Sequence, residues 1–507
     1  MIPDMPRTLV ATAYVFRHGQ RSPYPPPKTA NWTEAVRLWR TDGRGFPDMT
    51  PAFWNMSHEA FVEQQLNGHG KLLLKHMGEH VAQQTAELGD PCSRSVLLIA
   101  DNSTRDNQSA VAFADGFYPA ECVVARKAQI VYANAANGLP PTTSDDNTEV
   151  GCGTGPDEQQ AMLDFGESTS ALTALYRPQL RRVSELLSCC SPELCALYGH
   201  TGGGSCTIDE LPYTFNGMYW KGLYEGPLSA AGCFIQAWML QALSGHEIAR
   251  GELSVSELAD LYRVHMRLMW LGSNQNRSQS VGSQQLAYLL ASLEQVVSGS
   301  PIAGAADGSP RTLALFAHDF NLLYLRRLLG VHWLTDSFDF DVATTGAAVS
   351  FELHRDASAA PSGFRVRGVL TAATIEQQRA AASLLETPPS HAVFLDEPYD
   401  AFKARALGGL QPSCVLPRLR PAILAMGTAA AAEALNAPHA QSAAAPLAWC
   451  GYAAVALALV LAGGVLGFLC GGRRSYAPSN QELAAPMLPP SPRSARRNLR
   501  FEGSDGE

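Results

Sequence analysis

One stretch near the start of the chain limits the possible folds more than any other. Residues 9–16 form an apolar run with the length of a buried β-strand, and the polar turn 17–23, which reads RHGQRSP, follows without a break. In open α/β sheets, ligands bind at the edge where the carboxyl ends of the strands lie. The stretch therefore predicts an α/β core with a functional site at the end of the first strand.

The residue types in this turn suit the binding of a phosphate-like dianion. Arg17 and Arg21 carry planar guanidinium groups that can each grip two oxygens and that stay charged near neutral pH. His18 lies beside Arg17 and offers a nucleophilic nitrogen to the group that the arginines would hold. A solvated basic turn with a surface histidine would explain an isolated Arg-His-Gly, but the longer pattern favours a phosphate site.

Two further polar motifs follow apolar runs of strand length. Residues 96–100 lead through a short polar turn to Arg105, at the start of a predicted helix. Residues 313–317 end at His318 and Asp319, and a second helix is predicted directly after them. Since the carboxyl ends of parallel strands meet at one edge of a sheet, we expect the three motifs to form one site.

The pattern Arg-His-Gly-x-Arg-x-Pro resembles the signature of the histidine acid phosphatases, within the phosphoglycerate mutase-like superfamily, and of their membrane-bound, lysosomal type in particular. The two later motifs resemble that family's third arginine and its catalytic His-Asp element, and residue 20, here Gln, varies in the family. The resemblance implies an α/β fold with a phosphoglycerate mutase-like core sheet, flanking helices and an inserted helical cap. It also implies hydrolysis of phosphomonoesters without a metal or a cofactor.

The resemblance further implies a role for each site residue. His18 would attack phosphorus in line and form a phosphohistidine. Asp319 would give a proton to the leaving alcohol and later take one from water. Four residues would surround the phosphoryl oxygens: Arg17, Arg21, Arg105 and His318. Positive charge is needed there because the transferring group stays negative along the reaction path.

Changes in composition divide the chain into six predicted segments. The α/β core occupies residues 1–130 and 299–425, and a mostly helical cap over 131–298 is inserted between its halves. After the core, an Ala-rich stalk over 426–446 leads to a transmembrane helix over 447–472 and then to a cytoplasmic tail over 473–507. Within the cap, Ser254 and Glu257 have the spacing of a capping box at the start of a helix. The tail is rich in Pro, Ser and Arg, which is typical of disorder.

The predicted transmembrane segment fixes an orientation. Residues 447–472 contain no charged side chain, and 26 apolar residues in a helix are long enough to cross a bilayer of roughly 30 Å. Arg473 and Arg474 follow at once and place the tail in the cytoplasm. We therefore expect a single-pass type I membrane protein of the endosomal and lysosomal system or of the cell surface.

Cysteines and glycosylation sequons support passage through the secretory pathway. The chain has 11 cysteines, which suits disulfides formed in an oxidising compartment. Five sequons precede the transmembrane segment; those at Asn31, Asn55, Asn102 and Asn276 are glycosylation candidates, whereas Asn107 lies next to the predicted site and should be occluded. Residues 1–8 lack the features of a signal peptide, so we expect either a leader upstream of this sequence or targeting by the C-terminal segment.

Several classes of function are disfavoured. A formal charge of −9 argues against a nucleic-acid-binding protein. The sequence has no CxxC or HExxH motif, which argues against a zinc site. The histidines His69, His76 and His80 share a predicted helix and raise a metal hypothesis, but surface or core-edge positions explain them better.

These observations predict a membrane-anchored acid phosphatase that acts on small phosphomonoesters, with a homodimer as a possible assembly. A multiply phosphorylated substrate should need many Lys and Arg residues in the cap, which is not notably basic. A lysophosphatidate phosphatase and an inositol polyphosphate phosphatase are the alternatives within the enzyme class. An inactive, membrane-anchored binding ectodomain is the alternative outside it.

Overall fold

The computed structural model describes residues 7–29, 31–39, 44–122, 130–133, 152, 168–213 and 225–436. Its strands are β1 Thr8–Arg17, β2 Val96–Ala100, β3 Ile130–Tyr132, β4 Thr312–Ala317, β5 Ala348–Arg355, β6 Phe364–Ala372 and β7 Ser390–Pro398. Its helices are α1 Trp32–Trp39, α2 His58–Val62, α3 Gly68–Gln84, α4 Thr104–Phe117, α5 Thr169–Leu187, α6 Pro192–Leu197, α7 Pro227–Leu243, α8 Val255–Gly272, α9 Gln275–Arg277, α10 Ser283–Ser298, α11 Asp319–Leu329, α12 Ile375–Ala380, α13 Tyr399–Gly409 and α14 Arg420–Asn436. A π-helical turn, Ser278–Gly282, joins α9 to α10.

The seven strands in the described part of the chain form one mixed sheet in the order β3-β2-β4-β1-β5-β6-β7. Strand β4 pairs in parallel with both β1 and β2, and Phe16, Phe316 and Ala100 lie in register across the three strands. The carboxyl ends of these strands are therefore neighbours at one edge of the sheet. Beyond β1, strands β5, β6 and β7 each run antiparallel to the strand before them in the sheet.

Alternate residues of β1 face two different hydrophobic clusters, because successive side chains of a strand point to opposite faces. Ala13 and Val15 belong to the cluster that contains the buried residues of α5, α6, α7, α8 and α10. Tyr14 and Phe16 pack with α3 and α4 on the other face. Both β1 and β4 are buried along most of their length, as expected for central strands covered on both faces.

Capping residues set the start of helices that border the site. The Asn67 side chain accepts a hydrogen bond from Gly70 N at 2.8 Å at the start of α3. The Ser254 side chain accepts one from Glu257 N at 3.2 Å, which confirms the predicted start of α8. Helix α11 begins at Asp319, immediately after β4, so the His-Asp pair lies at a strand-to-helix turn.

The structure confirms an α/β fold and adds three features that the sequence pattern missed. Strands β5, β6 and β7 form a three-stranded antiparallel unit in the C-terminal half of the core. The predicted boundary at residue 130 falls within β3. Helix α14 continues to Asn436 and so occupies the first part of the predicted stalk.

Within the described ranges, no helix is long and apolar enough to cross a membrane. The predicted transmembrane segment, 447–472, and the predicted tail, 473–507, lie outside those ranges.

Disulfides predicted from the cysteine content are present. The pairs are Cys92–Cys122, Cys152–Cys414, Cys189–Cys190 and Cys195–Cys206. Among the described cysteines, Cys233 is the one outside a disulfide.

The predicted glycosylation sites differ in exposure. Asn31, Asn55 and Asn102 are exposed, whereas Asn276 is half-buried. Asn107 is also half-buried, and its side chain accepts a hydrogen bond from the Tyr132 hydroxyl at 3.3 Å.

Candidate active site

The carboxyl ends of β1, β2 and β4 bring the six predicted site residues together. The rings of His18 and His318 lie 5.2 Å apart, nearly at right angles. Arg105 Nη2 is 3.2 Å from His318 Nε2, and Arg17 Nη2 is 2.9 Å from a carboxylate oxygen of Asp319. The sixth residue, Arg21, is close enough to His18 to affect its protonation.

Two glycines allow the signature turn (residues 17–23) to pack against the start of α3. A Cβ atom on Gly19 would lie 2.5 Å from the carbonyl oxygen of Gly70, and one on Gly70 would lie 2.2 Å from that of Gln20. A hydrogen bond from Asn67 N to Gln20 O, at 3.0 Å, closes this contact. The backbone beside His18 is therefore held by a packing that admits no side chain at either glycine.

The His18 ring is buried, and one hydrogen bond determines its tautomer. Its Nδ1 lies 2.8 Å from the carbonyl oxygen of Gly19, which can only accept, so Nδ1 carries the proton. Burial lowers the pKa of His18 well below the ordinary value, and the positive charges around it, first that of Arg105, act in the same direction. The ring is therefore neutral, with the lone pair on Nε2.

The three arginines have donors in excess of their protein acceptors. Arg17 Nη1 donates to Ala343 O and Arg21 Nη1 to Ser22 O, both at 2.6 Å. The Nε atoms of Arg17, Arg21 and Arg105 are buried and have no hydrogen-bond partner within the described residues. A buried donor left unpaired costs about 1–3 kcal/mol. The oxygens of a phosphate group could satisfy such donors.

Asp319 begins α11 and forms an ion pair with Arg17. Burial raises the pKa of Asp319, but Arg17, His318 and other nearby cationic groups outweigh burial, so the net shift is downward from 3.8. Asp319 is therefore ionised in the free site near neutral pH. A phosphate ester that engaged Arg17 would weaken this ion pair and favour protonation of the carboxyl.

Tyr24 contributes to the site and was not predicted from the sequence. Its ring centroid lies 4.1 Å from the guanidinium carbon of Arg21 and 5.9 Å from that of Arg105. Burial lowers the pKa of Arg21 to about 10, although Tyr24 opposes the shift. An aromatic residue in a proline-rich loop is not part of the hydrophobic repeat of a helix or a strand, so the sequence pattern gave no indication of this role.

Helix α8 supplies two buried side chains near the Arg17–Asp319 pair. The rings of Tyr262 and His265 lie 5.0 Å apart. Burial raises the pKa of Tyr262 and lowers that of His265 to about 4, so both are uncharged near neutral pH. Their spacing of three residues places them on one helix face, but core residues share that spacing, so the sequence pattern does not distinguish them from core residues.

Gln20 links the signature turn to helix α12. It is fully buried, and its Nε2 donates to Gln378 Oε1 at 2.7 Å. Thr345 Oγ1 donates to the same oxygen at 2.9 Å, and Gln378 Nε2 donates to Ala373 O at 2.9 Å. The variable position of the signature therefore has a defined structural partner in this chain.

Asp101, Asp106 and His318 form the group whose geometry could hold a metal ion, among the residues that the structure describes. Arg105 Nη2 lies 3.2 Å from His318 Nε2, so a cation bound there would lie against a guanidinium group. We therefore interpret the two carboxyl groups as partners of the imidazole and the arginine. The three histidines of α3 are not part of any such group within the same residues.

Comparison with known proteins places this site in a family. Residues 8–371 match the family described as the Histidine phosphatase superfamily (branch 2), and this range contains all six predicted site residues. The chain belongs to this superfamily. It is a hydrolase of the histidine acid phosphatase type, as the signature turn predicted, and no curated protein matches it.

Three solved phytase structures share the fold of this histidine phosphatase. The phytase of Hafnia alvei in complex with myo-inositol hexakis sulphate has a TM-score of 0.63 and 18% identity, over 81% of this chain and 99% of that one. The phytase of Citrobacter braakii has a TM-score of 0.62 and 18% identity, over 81% and 100%. The phytase of Klebsiella sp. ASR1 has a TM-score of 0.60 and 18% identity, over 82% and 99%.

Proposed function

We propose that this histidine phosphatase is an acid phosphatase that hydrolyses phosphomonoesters through a phosphohistidine on His18. The observation that carries the proposal is the hydrogen bond of 2.8 Å between Nδ1 of His18 and the carbonyl oxygen of Gly19. That bond leaves the Nε2 lone pair free in a site with three guanidinium groups. In-line attack on a phosphate ester needs this combination of a neutral nucleophile and cationic surroundings.

The reaction then takes two displacements. In the first, Nε2 of His18 attacks phosphorus, the N–P bond forms, and the P–O bond to the alcohol breaks as Asp319 protonates the departing oxygen. In the second, water attacks phosphorus, Asp319 takes its proton, and the N–P bond breaks to release inorganic phosphate. Arg17, Arg21 and Arg105 balance the charge of the phosphoryl oxygens in both steps.

The charge state of Asp319 predicts a preference for acid pH. Asp319 must hold a proton to assist the first step, yet Arg17 lies 2.9 Å away and favours the ionised form. A bound phosphate dianion competes for Arg17 and adds negative charge nearby, and both effects raise the pKa of Asp319. Activity should therefore fall as pH rises through the pKa that Asp319 has in the complex.

The side chains near the site favour substrates with a single phosphate group. Among the described residues, the two side chains beside the Arg17–Asp319 pair, Tyr262 and His265, are uncharged near neutral pH. A polyphosphorylated substrate needs cations beyond the three site arginines. Inositol polyphosphates remain the second candidate, because the chain shares its fold with phytases, one of them solved with myo-inositol hexakis sulphate.

Initial rates on a panel of esters test the proposal. The panel contains glycerol phosphate, nitrophenyl phosphate, lysophosphatidate and inositol hexakisphosphate, assayed between about pH 4 and pH 8 with and without a chelator. The proposal predicts hydrolysis that resists the chelator, is lost in His18→Ala, and is fastest on simple monoesters. Preference for inositol hexakisphosphate would favour the second candidate. Failure to hydrolyse any ester would favour a binding ectodomain.

We also propose that residues 447–472 anchor the enzyme in a membrane, with the catalytic region in the lumen or outside the cell. The uncharged run, the following arginines and the disulfides support this topology. The full-length chain should enter the detergent phase of a phase partition, and a chain truncated before Ala443 should stay in the aqueous phase. Recovery of the full-length protein in the aqueous phase would contradict the proposal.

A further inference from the structure

The charges of the described site nearly cancel, which is unexpected for a pocket that must bind a dianion. Arg17, Arg21 and Arg105 are opposed by three carboxyl groups: those of Asp101, Asp106 and Asp319. With every one of these six groups ionised, they carry no net charge. A tetrahedral dianion would then bind weakly, so at least one carboxyl group should be protonated in the complex.

Asp106 is the carboxyl group whose contacts best fit that role. It is fully buried, and its Oδ2 accepts a hydrogen bond from Ser103 Oγ, while its Oδ1 has no hydrogen-bond partner in the described part of the chain. Asp319, by contrast, is paired with Arg17 and has a lowered pKa in the free site, so it takes up its proton at acid pH and not near neutral pH. Asp101 Oδ1 accepts a hydrogen bond from its neighbour's backbone N–H at 2.5 Å. An unpaired buried oxygen is costly for a carboxylate, and less so for a neutral carboxyl.

The groups that face Asp106 decide its protonation together. Burial raises the pKa of Asp106 to about 6. His318 and Arg105 oppose this rise, and so does the hydrogen bond from Ser103, whereas Asp101 adds to it. A dianion held by Arg105 and His318 would draw those two partners away from Asp106 and add negative charge nearby. Both effects favour the protonated form of Asp106.

The same contacts show how Asp106 acts on phosphate binding. His318 Nε2 lies 3.3 Å from Asp106 Oδ2, 3.5 Å from Asp101 Oδ2 and 3.2 Å from Arg105 Nη2. When His318 Nε2 carries a proton, that N–H can serve either an ionised Asp106 or a phosphate oxygen, so the two compete for it. A protonated Asp106 has a donor of its own and leaves the His318 N–H to the ligand.

We propose that Asp106 is a positioning residue that takes up a proton when a tetrahedral dianion binds, and that in its ionised form it competes with the dianion for His318. The proposal rests on the phosphatase function above and adds a residue through which that function depends on pH. If one proton is taken up, affinity for the dianion falls tenfold for each unit of pH above the pKa of free Asp106.

Inhibition by tungstate tests the proposal, because this tetrahedral dianion takes up no proton itself near neutral pH. In the wild type, the inhibition constant should rise about tenfold per pH unit between about pH 6 and pH 8. Asp106→Asn should abolish most of that rise. Asp115→Asn removes an exposed carboxyl from the same helix and should follow the wild type. A wild-type profile in Asp106→Asn would overturn the proposal.

Calorimetry in buffers of different ionisation enthalpy gives a second measurement that does not depend on one variant. Tungstate binding to the wild type near pH 7 should take up close to one proton, and binding to Asp319→Asn should do the same. No uptake by the wild type, or uptake lost in Asp319→Asn alone, would refute the role of Asp106. The calorimetric measurement requires no turnover, so a failed phosphatase assay and a failed role for Asp106 give different results.

Discussion

The buried carboxyl of Asp106 should lower the stability of the enzyme at neutral pH. Its pKa rises from 3.8 to about 6 on folding, because burial disfavours the charged form. The folded state then binds the proton more tightly than the unfolded state, so stability falls as pH rises from about 4 to about 6 and stays low above that. A shift of about 2 units corresponds to about 3 kcal/mol.

Asp106→Asn removes this cost with nearly the same shape. Asn keeps an oxygen that can accept from Ser103 and needs no proton to be neutral. We therefore expect the variant to be more stable than the wild type near pH 7, by up to about 3 kcal/mol. In a protein of this size, that corresponds to a rise in Tm of roughly 3 °C. The two proteins should have similar stability near pH 4.

Thermal unfolding across this pH range, followed by calorimetry, decides the point. Asp115→Asn serves as the control, since its carboxyl is exposed and its loss should change Tm little at any pH. Two results would show that Asp106 is not a buried acid with a raised pKa. One is equal or lower stability of Asp106→Asn at pH 7, and the other is a gain in stability that did not shrink on acidification.

Three further outcomes are expected. Asp319→Asn should slow single-turnover hydrolysis of alkyl phosphates by about 10²–10⁴, and that of nitrophenyl phosphates far less, because a nitrophenolate leaves without a proton; equal losses would argue for a purely structural Asp319. Gly70→Ala places a Cβ atom 2.2 Å from Gln20 O and should reduce kcat at least tenfold, whereas Gly68→Ala, with no atom within 4 Å of the new Cβ, should not; similar activity of the two variants would refute the packing argument. Replacing Cys152 and Cys414 by Ala opens a link across 262 residues and should lower the unfolding free energy by about 5 kcal/mol in the chain-entropy model; an unchanged denaturation midpoint would contradict it.

The sequence was sufficient to locate the site because the residues involved lie at strand ends. Arg17 and His318 each follow an apolar run that becomes a central parallel strand, and such strands carry a continuous hydrophobic pattern. Parallel pairing of β4 with β1 and β2 then brings their carboxyl ends together. The prediction of a single site needed only this rule and the chemistry of arginine and histidine.

Other parts of the fold carry weaker sequence signals. Strand β7 lies at the edge of the sheet and alternates between exposed and partly buried residues, with Asp396, Glu397 and Pro398 at its end, so it lacks an apolar run. Strand β3 has three residues, which is too short for any period. Both were therefore missed, although they complete the sheet.

Side chains that act through tertiary contacts were also beyond sequence reasoning. Tyr262 and His265 reach the site from a helix far along the chain, and their spacing is that of ordinary core residues. Asp106 follows Arg105 directly, where an acidic residue in the first turn of a helix has a sufficient local explanation. Its complete burial, which gives it a role, depends on packing between α4 and the sheet.

The identity of the phosphorylated residue tests the central claim most directly. The wild-type enzyme is mixed with labelled nitrophenyl phosphate, quenched in alkali within one turnover, digested and mapped by mass spectrometry. His18→Ala is the control. Asp319→Asn should accumulate the intermediate because it lacks the base for the second step. The mechanism predicts one phosphorylated peptide, containing His18, with a phosphate bond that is stable in alkali and lost in acid. Label on a serine or a cysteine, or a phosphoenzyme in His18→Ala, would contradict it.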